Sequence, residues 1–95
     1  MGVIFNIIYH NLVIKDDLPR LSVNNKQRIK KSIEEKLTTS PEIFGKPLRR
    51  SLKGHRRLRV GDYRVVYRIE EKTVKIFYIG HRSVVYERIN RQDFE

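Results

Sequence analysis

One stretch of the 95-residue chain is unusually rich in arginine. From Lys46 to Arg59 the sequence carries seven basic residues and no acidic one, and Arg64, Arg68 and Arg82 continue the series. The planar guanidinium group donates hydrogen bonds in a fixed fork, so arginine is preferred where a phosphate must be held in one geometry. The stretch therefore predicts a polyanionic partner, with RNA or DNA first and an acidic protein as the alternative.

Other side chains that could do chemistry are few. The five glycines do not form a phosphate-binding loop, and the three histidines (His10, His55 and His81) lack the spacing of metal ligands. There is no cysteine, which excludes disulfides, thiolate zinc sites and cysteine nucleophiles. The pairs Asp16-Asp17 and Glu34-Glu35 stand beside lysines in predicted helices and are expected to be solvated. The sequence thus predicts neither a metal site nor a cofactor.

An RNA substrate would bring its own nucleophile, the 2′-hydroxyl. An enzyme can align that hydroxyl with the neighbouring phosphorus, stabilise the charge that builds on the phosphoryl oxygens and protonate the leaving 5′-oxygen. Arginine suits the second task, and tyrosine or histidine could move protons if cationic surroundings adjust the pKa. The residue types present are therefore compatible with a ribonuclease that needs no metal.

Length and composition place these residues in one small domain. A chain of 95 residues predicts a single domain, residues 1–95, with one compact core. Its composition, 39% hydrophobic and 34% charged with a net charge of +10, is typical of a globular, strongly basic protein. The apolar N-terminal run is too short for a membrane span and lacks an export signal, so we expect a cytoplasmic protein that does not bind membranes.

The pattern of hydrophobic residues predicts an α+β domain with the order β-α-α-β-β-β. Strands are predicted at 3–9, 56–60, 63–70 and 74–79, helices at 11–21 and about 25–37, and a last helix or tail at 83–94. Asn24 or Asn25 is expected to cap the second helix, and Gly61-Asp62 to form a type II′ hairpin turn. In strand 63–70, arginines alternate with apolar residues. Two helices should therefore cover one face of a small, mainly antiparallel four-stranded sheet and leave the other face exposed.

Two motifs separated by one hairpin carry a family resemblance. The stretch GKPLRRSLKGHRRLRVGDYRVVYRI, followed by YIGHRSVVYERI, strongly resembles the RelE/ParE toxin superfamily, and its RelE side more closely. The resemblance covers nearly the whole chain and implies a RelE-like fold similar to that of small microbial ribonucleases. It also implies the toxin of a type II toxin–antitoxin module, which cuts mRNA in the ribosomal A site through 2′-hydroxyl attack without a metal. The implied partners are the ribosome, mRNA and a RelB-like antitoxin whose extended segment wraps the toxin.

The same resemblance assigns roles by position. Arg64, in GDYR, matches the family arginine that contacts the scissile phosphate, and Arg82, in GHR, matches one assigned to phosphate contact or leaving-group protonation. Tyr86 matches the C-terminal tyrosine that stacks on a base and is proposed as the general base, and His81 could donate a proton. The other basic side chains of the stretch are expected to contact RNA: Lys46, Arg49, Arg50, Lys53, His55, Arg57 and Arg59.

Departures from the family pattern keep alternatives open. The basic pair before GDYR is lysine in the best-known member, whereas His55, Arg57 and Arg59 stand near it here, and arginine is a poor proton donor. Val84 stands where many relatives have an acidic or polar residue. A ParE-like inhibitor of DNA gyrase would share the fold and cut nothing, and a third hypothesis is a noncatalytic relative that only binds RNA or its antitoxin. Codon preference and the identity and stoichiometry of the antitoxin do not follow from the sequence.

Overall fold

The computed structural model describes residues 4–47 and 54–83, and within these ranges it contains a five-stranded sheet. The strands are β1 (Asn6–Tyr9), β2 (Lys46–Pro47), β3 (His55–Val60), β4 (Tyr63–Glu70) and β5 (Thr73–His81). The α-helices are α1 (Val23–Ser32) and α2 (Pro41–Phe44). A π-helical segment (Val13–Asp17) and a 3₁₀ turn (Leu18–Arg20) precede α1, and a second π-helical segment (Ile33–Leu37) continues it. The predicted element at 83–94 lies outside the described residues, apart from Ser83.

The sheet is mixed, with the strand order β1-β5-β4-β3-β2. β1 runs parallel to β5, while β2, β3, β4 and β5 are antiparallel to their neighbours. This topology confirms the predicted α+β fold with two helical segments beside a mainly antiparallel sheet. The two-residue β2, in a segment predicted to be an irregular connector, adds a short edge strand next to β3.

The main core lies between the helices and one face of the sheet. Ile29, Ile33 and Leu37, spaced four residues apart as predicted, are at most 1% exposed and pack in one cluster with Val65 and Tyr67 of β4. Because strand side chains alternate between faces, Val65 and Tyr67 face the helices and Arg64 and Val66 face the other way. The alternation in β4 is therefore confirmed.

The opposite face of the sheet is not exposed at its centre, in contrast to the prediction. His55, Val66, Phe77 and Tyr78 lie on this face and are each at most 4% exposed. A β-bulge causes part of the difference, since the register passes from the Val66–Tyr78 pair directly to the pair of Tyr67 with Ile76. The extra residue, Phe77, turns its ring towards His55, with 4.9 Å between the ring centroids.

Two polar side chains also differ from the predictions. The cap of α1 is Ser22 rather than Asn24 or Asn25, since its hydroxyl accepts a hydrogen bond of 3.2 Å from the backbone N–H of Asn25. Asp17, expected to be solvated, is only 3% exposed, and its Oδ2 accepts a hydrogen bond of 3.0 Å from the N–H of Ile79. Because β1 ends at Tyr9, β5 continues beyond the end of β1. The buried Asp17 carboxylate therefore satisfies the N–H of Ile79, a backbone donor that β1 does not reach.

Candidate nucleic-acid interface

Arg59 and Arg64 stand directly opposite each other on β3 and β4, on the face away from the helices. The next position in this row, on β5, is Gly80, which pairs with Arg64 and has no side chain. Side chains at paired positions of neighbouring strands are close enough to interact, and like charges there repel. An anion bound between the two guanidinium groups would relieve that repulsion, so this row of the sheet is suited to a phosphate.

The guanidinium of Arg64 is held at the turn between β3 and β4. Its Nη1 donates hydrogen bonds of 3.1 Å and 3.0 Å to the carbonyl oxygens of Gly61 and Tyr63. The turn is Gly61-Asp62; Gly61 has φ of 60°, a conformation that glycine adopts without steric cost. Two bonds on one nitrogen restrict the side chain, so the group is positioned before any ligand binds.

Arg82 is brought to the same turn from the end of β5. Its backbone N–H donates a hydrogen bond of 2.8 Å to the carbonyl oxygen of Asp62. Its Nε lies 3.9 Å from Oδ1 of Asp62, and the two side chains are 61% and 71% exposed. The structure therefore places the two arginines of the GDYR and GHR motifs at one hairpin, although they are 18 positions apart in the sequence.

His81, the candidate proton donor, lies on the other side of the strand plane from Arg64. It pairs with Tyr63 across β4 and β5, and the two rings meet edge to face with 5.6 Å between centroids. The backbone N–H of Ser83 donates to Nδ1 of His81 at 3.1 Å, and the Ser83 hydroxyl lies 2.8 Å from the same nitrogen. With Nδ1 as the acceptor, the proton of the neutral imidazole is carried by Nε2.

The basic residues of β3 divide by face. Arg57 and Arg59 share the face of Arg64; Arg59 is exposed and Arg57 half-buried. Arg56 has a structural role on the opposite face, where its Nη1 donates to the carbonyl oxygens of Glu42 and Gly45 at 3.2 Å and 2.9 Å. A run of basic residues in the sequence is thus divided by strand alternation into a set on the face of Arg64 and a structural residue on the helix side.

His55 is placed in the interior rather than at the surface. It is 4% exposed and packs on Phe77, over which the guanidinium of Arg68 also lies, 5.5 Å from the ring centroid. Of the other predicted contact residues, Lys46 belongs to the edge strand β2 through its backbone. Four lie outside the described residues, so the structure does not place them: Arg49, Arg50, Lys53 and Tyr86.

The structure adds to this site a basic residue, Arg28, that no sequence motif indicates. Arg28 of α1 lies over Gly61, so closely that a Cβ on this glycine would be 2.7 Å from its Nη2 and 3.0 Å from its Cζ. No local signal distinguishes Arg28 from the neighbouring lysines of α1, because only the packing of the helix against the hairpin brings it there.

Taken together, the hairpin gathers cationic groups and offers little to bind a metal. Arg28, Arg64 and Arg82 reach it from three elements, and Arg59 faces Arg64. Among the described residues no group of three His, Cys, Asp or Glu side chains could hold a metal ion. Within the same ranges no helix has the length and apolar character needed to cross a bilayer. Positioned guanidinium groups can stabilise the charge that develops on a phosphoryl oxygen during transfer.

Comparisons with known proteins agree on one family. Residues 7–86 match the family model described as the ParE toxin of the type II toxin–antitoxin system parDE. Two curated proteins of Mycobacterium tuberculosis are similar: Toxin RelG, 44% identical over 54 residues, and Toxin RelE, 46% identical over 52 residues. These alignments cover 55% and 53% of this chain and 62% and 54% of the respective relatives.

Solved structures extend the similarity to most of the chain. The toxin–antitoxin complex RelBE2 of Mycobacterium tuberculosis contains a chain with 31% identity and a TM-score of 0.78, over 85% of this chain and 94% of that one. The intact RelBE toxin–antitoxin complex of E. coli contains a chain with 27% identity and a TM-score of 0.65, over 81% and 95% of the two chains. The fold predicted from the sequence is therefore that of RelE toxins.

Proposed function

The chain belongs to the ParE toxin family of type II toxin–antitoxin systems, and we propose that it is a toxin that cleaves mRNA in the ribosomal A site. The observation that carries the proposal is the meeting of Arg64 and Arg82 at the Gly61-Asp62 turn. The similarity to the curated toxins named RelG and RelE supports RNA, rather than another polyanion, as the substrate.

The proposed reaction uses the RNA's own nucleophile. The 2′-oxygen attacks the adjacent phosphorus while the bond from phosphorus to the 5′-oxygen breaks, which leaves a 2′,3′-cyclic phosphate and a 5′-hydroxyl. Arg64, held by two carbonyl oxygens, would bind the scissile phosphate, and Arg82 would stabilise charge on its oxygens. Tyr86, as its phenolate, would accept the proton of the 2′-hydroxyl. His81 would supply a proton to the leaving oxygen as the imidazolium, after its ring turns to the face of Arg64 and Nδ1 releases the Ser83 N–H.

Partners follow from the same assignment. The related structures are complexes of toxins with RelB antitoxins, so we propose that an antitoxin of this kind binds and silences the chain. A net charge of +10 favours both RNA and an acidic antitoxin segment. The ribosome would contribute part of the alignment of the message, so cleavage of free RNA should be weak, and the site of action would be the cytoplasm.

Primer extension on a translated message tests the activity. Induction of the wild-type protein should give new 5′ ends at fixed positions within codons, carrying 5′-hydroxyl groups. Arg64→Ala and Arg82→Ala should each lower the cleavage rate by about 10²-fold, the loss typical of removing a positioned charge-stabilising donor. Lys72→Ala removes an exposed basic side chain from the turn at the other end of β4 and should cut like the wild type. Codon-positioned cuts that persist at full rate in both site variants, with folding verified, would overturn the proposal.

A second candidate function is inhibition of DNA gyrase, because the matching family model is described as a ParE toxin. A gyrase inhibitor would stall DNA synthesis before protein synthesis and would leave messages uncut. Labelling of both syntheses in the minutes after induction distinguishes the two functions. An early arrest of translation supports the nuclease, and an early arrest of replication supports the gyrase inhibitor. A relative that only binds would produce no cuts in the primer extension.

A further inference from the structure

Arg28 is the least expected member of the arginine cluster at the hairpin. Nη2, Cζ and Nη1 of its guanidinium lie 2.7, 3.0 and 3.0 Å from the position of a Cβ on Gly61. All three atoms belong to the outer end of the guanidinium, so this end of the side chain lies against the turn.

The residue is exposed, and its surroundings are cationic. Arg64 binds the carbonyl oxygen of the same Gly61, and Arg82 lies beside the next residue, Asp62. Within residues 4–47 and 54–83 no acidic side chain forms an ion pair with Arg28. The contact with Gly61 places the group at the turn without neutralising it, which is the arrangement expected of a residue that binds an external anion.

We infer that Arg28 binds a second phosphate of the RNA strand, next to the one held by Arg64 and Arg82. The inference rests on the proposed RNA substrate and extends its binding site. Arg64 belongs to the sheet face away from the helices, whereas Arg28 reaches the turn from the helix side. A strand whose scissile phosphate lies at Arg64 would pass over the hairpin turn and place a flanking phosphate at the guanidinium of Arg28. The ligand is thus a phosphodiester group of single-stranded RNA.

Binding of a non-cleavable RNA tests the inference directly. The probe is a fluorescent 12-nucleotide RNA with 2′-O-methyl groups throughout, and its affinity is measured by anisotropy from low to high salt. Arg28→Gln should weaken binding about fivefold and reduce the slope of log affinity against log salt by about 0.7, the value for one phosphate contact on a single strand. The control Lys30→Gln removes the same charge from the opposite side of α1 and should leave the slope unchanged. Equal effects of the two variants would show a general charge effect and overturn the inference.

A second measurement separates the flanking phosphate from the scissile one. In single-turnover cleavage on ribosomes, Arg28→Gln should leave the maximal rate unchanged. It should raise about fivefold the protein concentration that gives half of this maximal rate. Arg28→Lys should recover part of the lost affinity. Replacing one flanking phosphate of the message by an uncharged methylphosphonate should weaken binding of the wild type but not of Arg28→Gln. If the wild type cuts no ribosome-bound message, the proposed function fails while the anisotropy result still decides the role of Arg28. If the wild type cuts and neither flanking methylphosphonate distinguishes the two proteins, the inference alone fails.

Discussion

Asp62 contacts Arg82 through both its backbone and its side chain. The Asp62 carbonyl oxygen accepts the Arg82 backbone N–H at 2.8 Å, and the carboxylate Oδ1 lies 3.9 Å from Nε. The first contact joins the end of β5 to the hairpin, and the second sets a carboxylate beside the guanidinium. Because an acidic residue at the centre of a cationic site opposes RNA binding, we expect its contribution to be the orientation of Arg82.

Asp62→Asn should separate these two effects. The backbone contact remains, and an ion pair this exposed contributes only about 0–1 kcal/mol, so the free energy of unfolding should change little. RNA should bind at least as tightly, because the net charge rises by one, while the maximal cleavage rate should fall several-fold as Arg82 loses its orientation. Asp16→Asn makes the same charge change at an exposed position of the first helical segment and should leave the maximal rate unaltered. Equal maximal rates for Asp62→Asn and the wild type would show that Asp62 does not position Arg82.

The turn between β4 and β5 contains a strained residue, which Glu71→Gly should relieve. Glu71 has φ of 55°, in the left-handed region that costs a residue with a Cβ about 1 kcal/mol or more. Glycine adopts this conformation freely, so the substitution should raise the free energy of unfolding by about 1 kcal/mol in urea denaturation. Lys72→Gly, one residue later and without positive φ, should lower it by about 0.5–1 kcal/mol. A loss of stability in both variants would show that the backbone of Glu71 is not strained.

Much of this fold follows from local sequence patterns. The alternation of β4, the spacing of Ile29, Ile33 and Leu37, and the Gly61-Asp62 turn each have a local physical cause, and the structure confirms them. Arg64 could be assigned to the face away from the helices by alternation alone.

Other features depend on packing that no local pattern encodes. In β5 the alternation begun by Val74 and Ile76 would place His81 on the same face as Arg64, but the bulge at Phe77 inserts one residue and shifts His81 to the helix side. The contact of Arg28 with Gly61 requires α1 to pack against a hairpin 33 positions away in the sequence. Asp17 is buried because β1 is shorter than β5, which is a property of the whole sheet.

Tyr67 and Gly45 should be energetically coupled. The buried hydroxyl of Tyr67 donates a hydrogen bond to the carbonyl oxygen of Pro41, and a Cβ on Gly45 would lie 1.9 Å from that hydroxyl. Tyr67→Phe should cost about 1 kcal/mol for the lost bond, and Gly45→Ala about 2–3 kcal/mol for the overlap. The double variant should be more stable than the sum of the two losses predicts, since removal of the hydroxyl relieves part of the overlap. If the two losses in the free energy of unfolding simply add in urea denaturation, Tyr67 and Gly45 are not in contact.

The same tyrosine gives an alkaline signature. Burial raises the pKa of Tyr67 to about 12, from an ordinary value of 10.0. The folded state therefore favours the protonated phenol; this contribution to stability is complete below pH 10 and is lost as the pH rises towards 12. Tyr67→Phe has no such group, so the stability difference between wild type and variant should shrink over this interval. A constant difference from pH 9 to pH 12 would show that the phenol is not protected from ionisation.

An acid-dependent loss of stability should arise from Glu70. A hydrogen bond from Lys75, with Nζ 2.9 Å from Oε1, and then a contact with Arg68 hold the pKa of this carboxyl below its ordinary value, while partial burial opposes them. Because the pKa of Glu70 is lower in the folded state, its ionised carboxylate stabilises the fold at pH values above the unfolded-state pKa of about 4.5. This stabilisation is lost as the pH falls through the folded-state pKa. Between pH 6 and pH 3 the wild type should therefore lose more stability than Glu70→Gln. Glu71→Gln removes an exposed carboxyl without these partners and should follow the wild type. Parallel curves for wild type and Glu70→Gln would show that the contacts of Glu70 with Lys75 and Arg68 do not persist in solution.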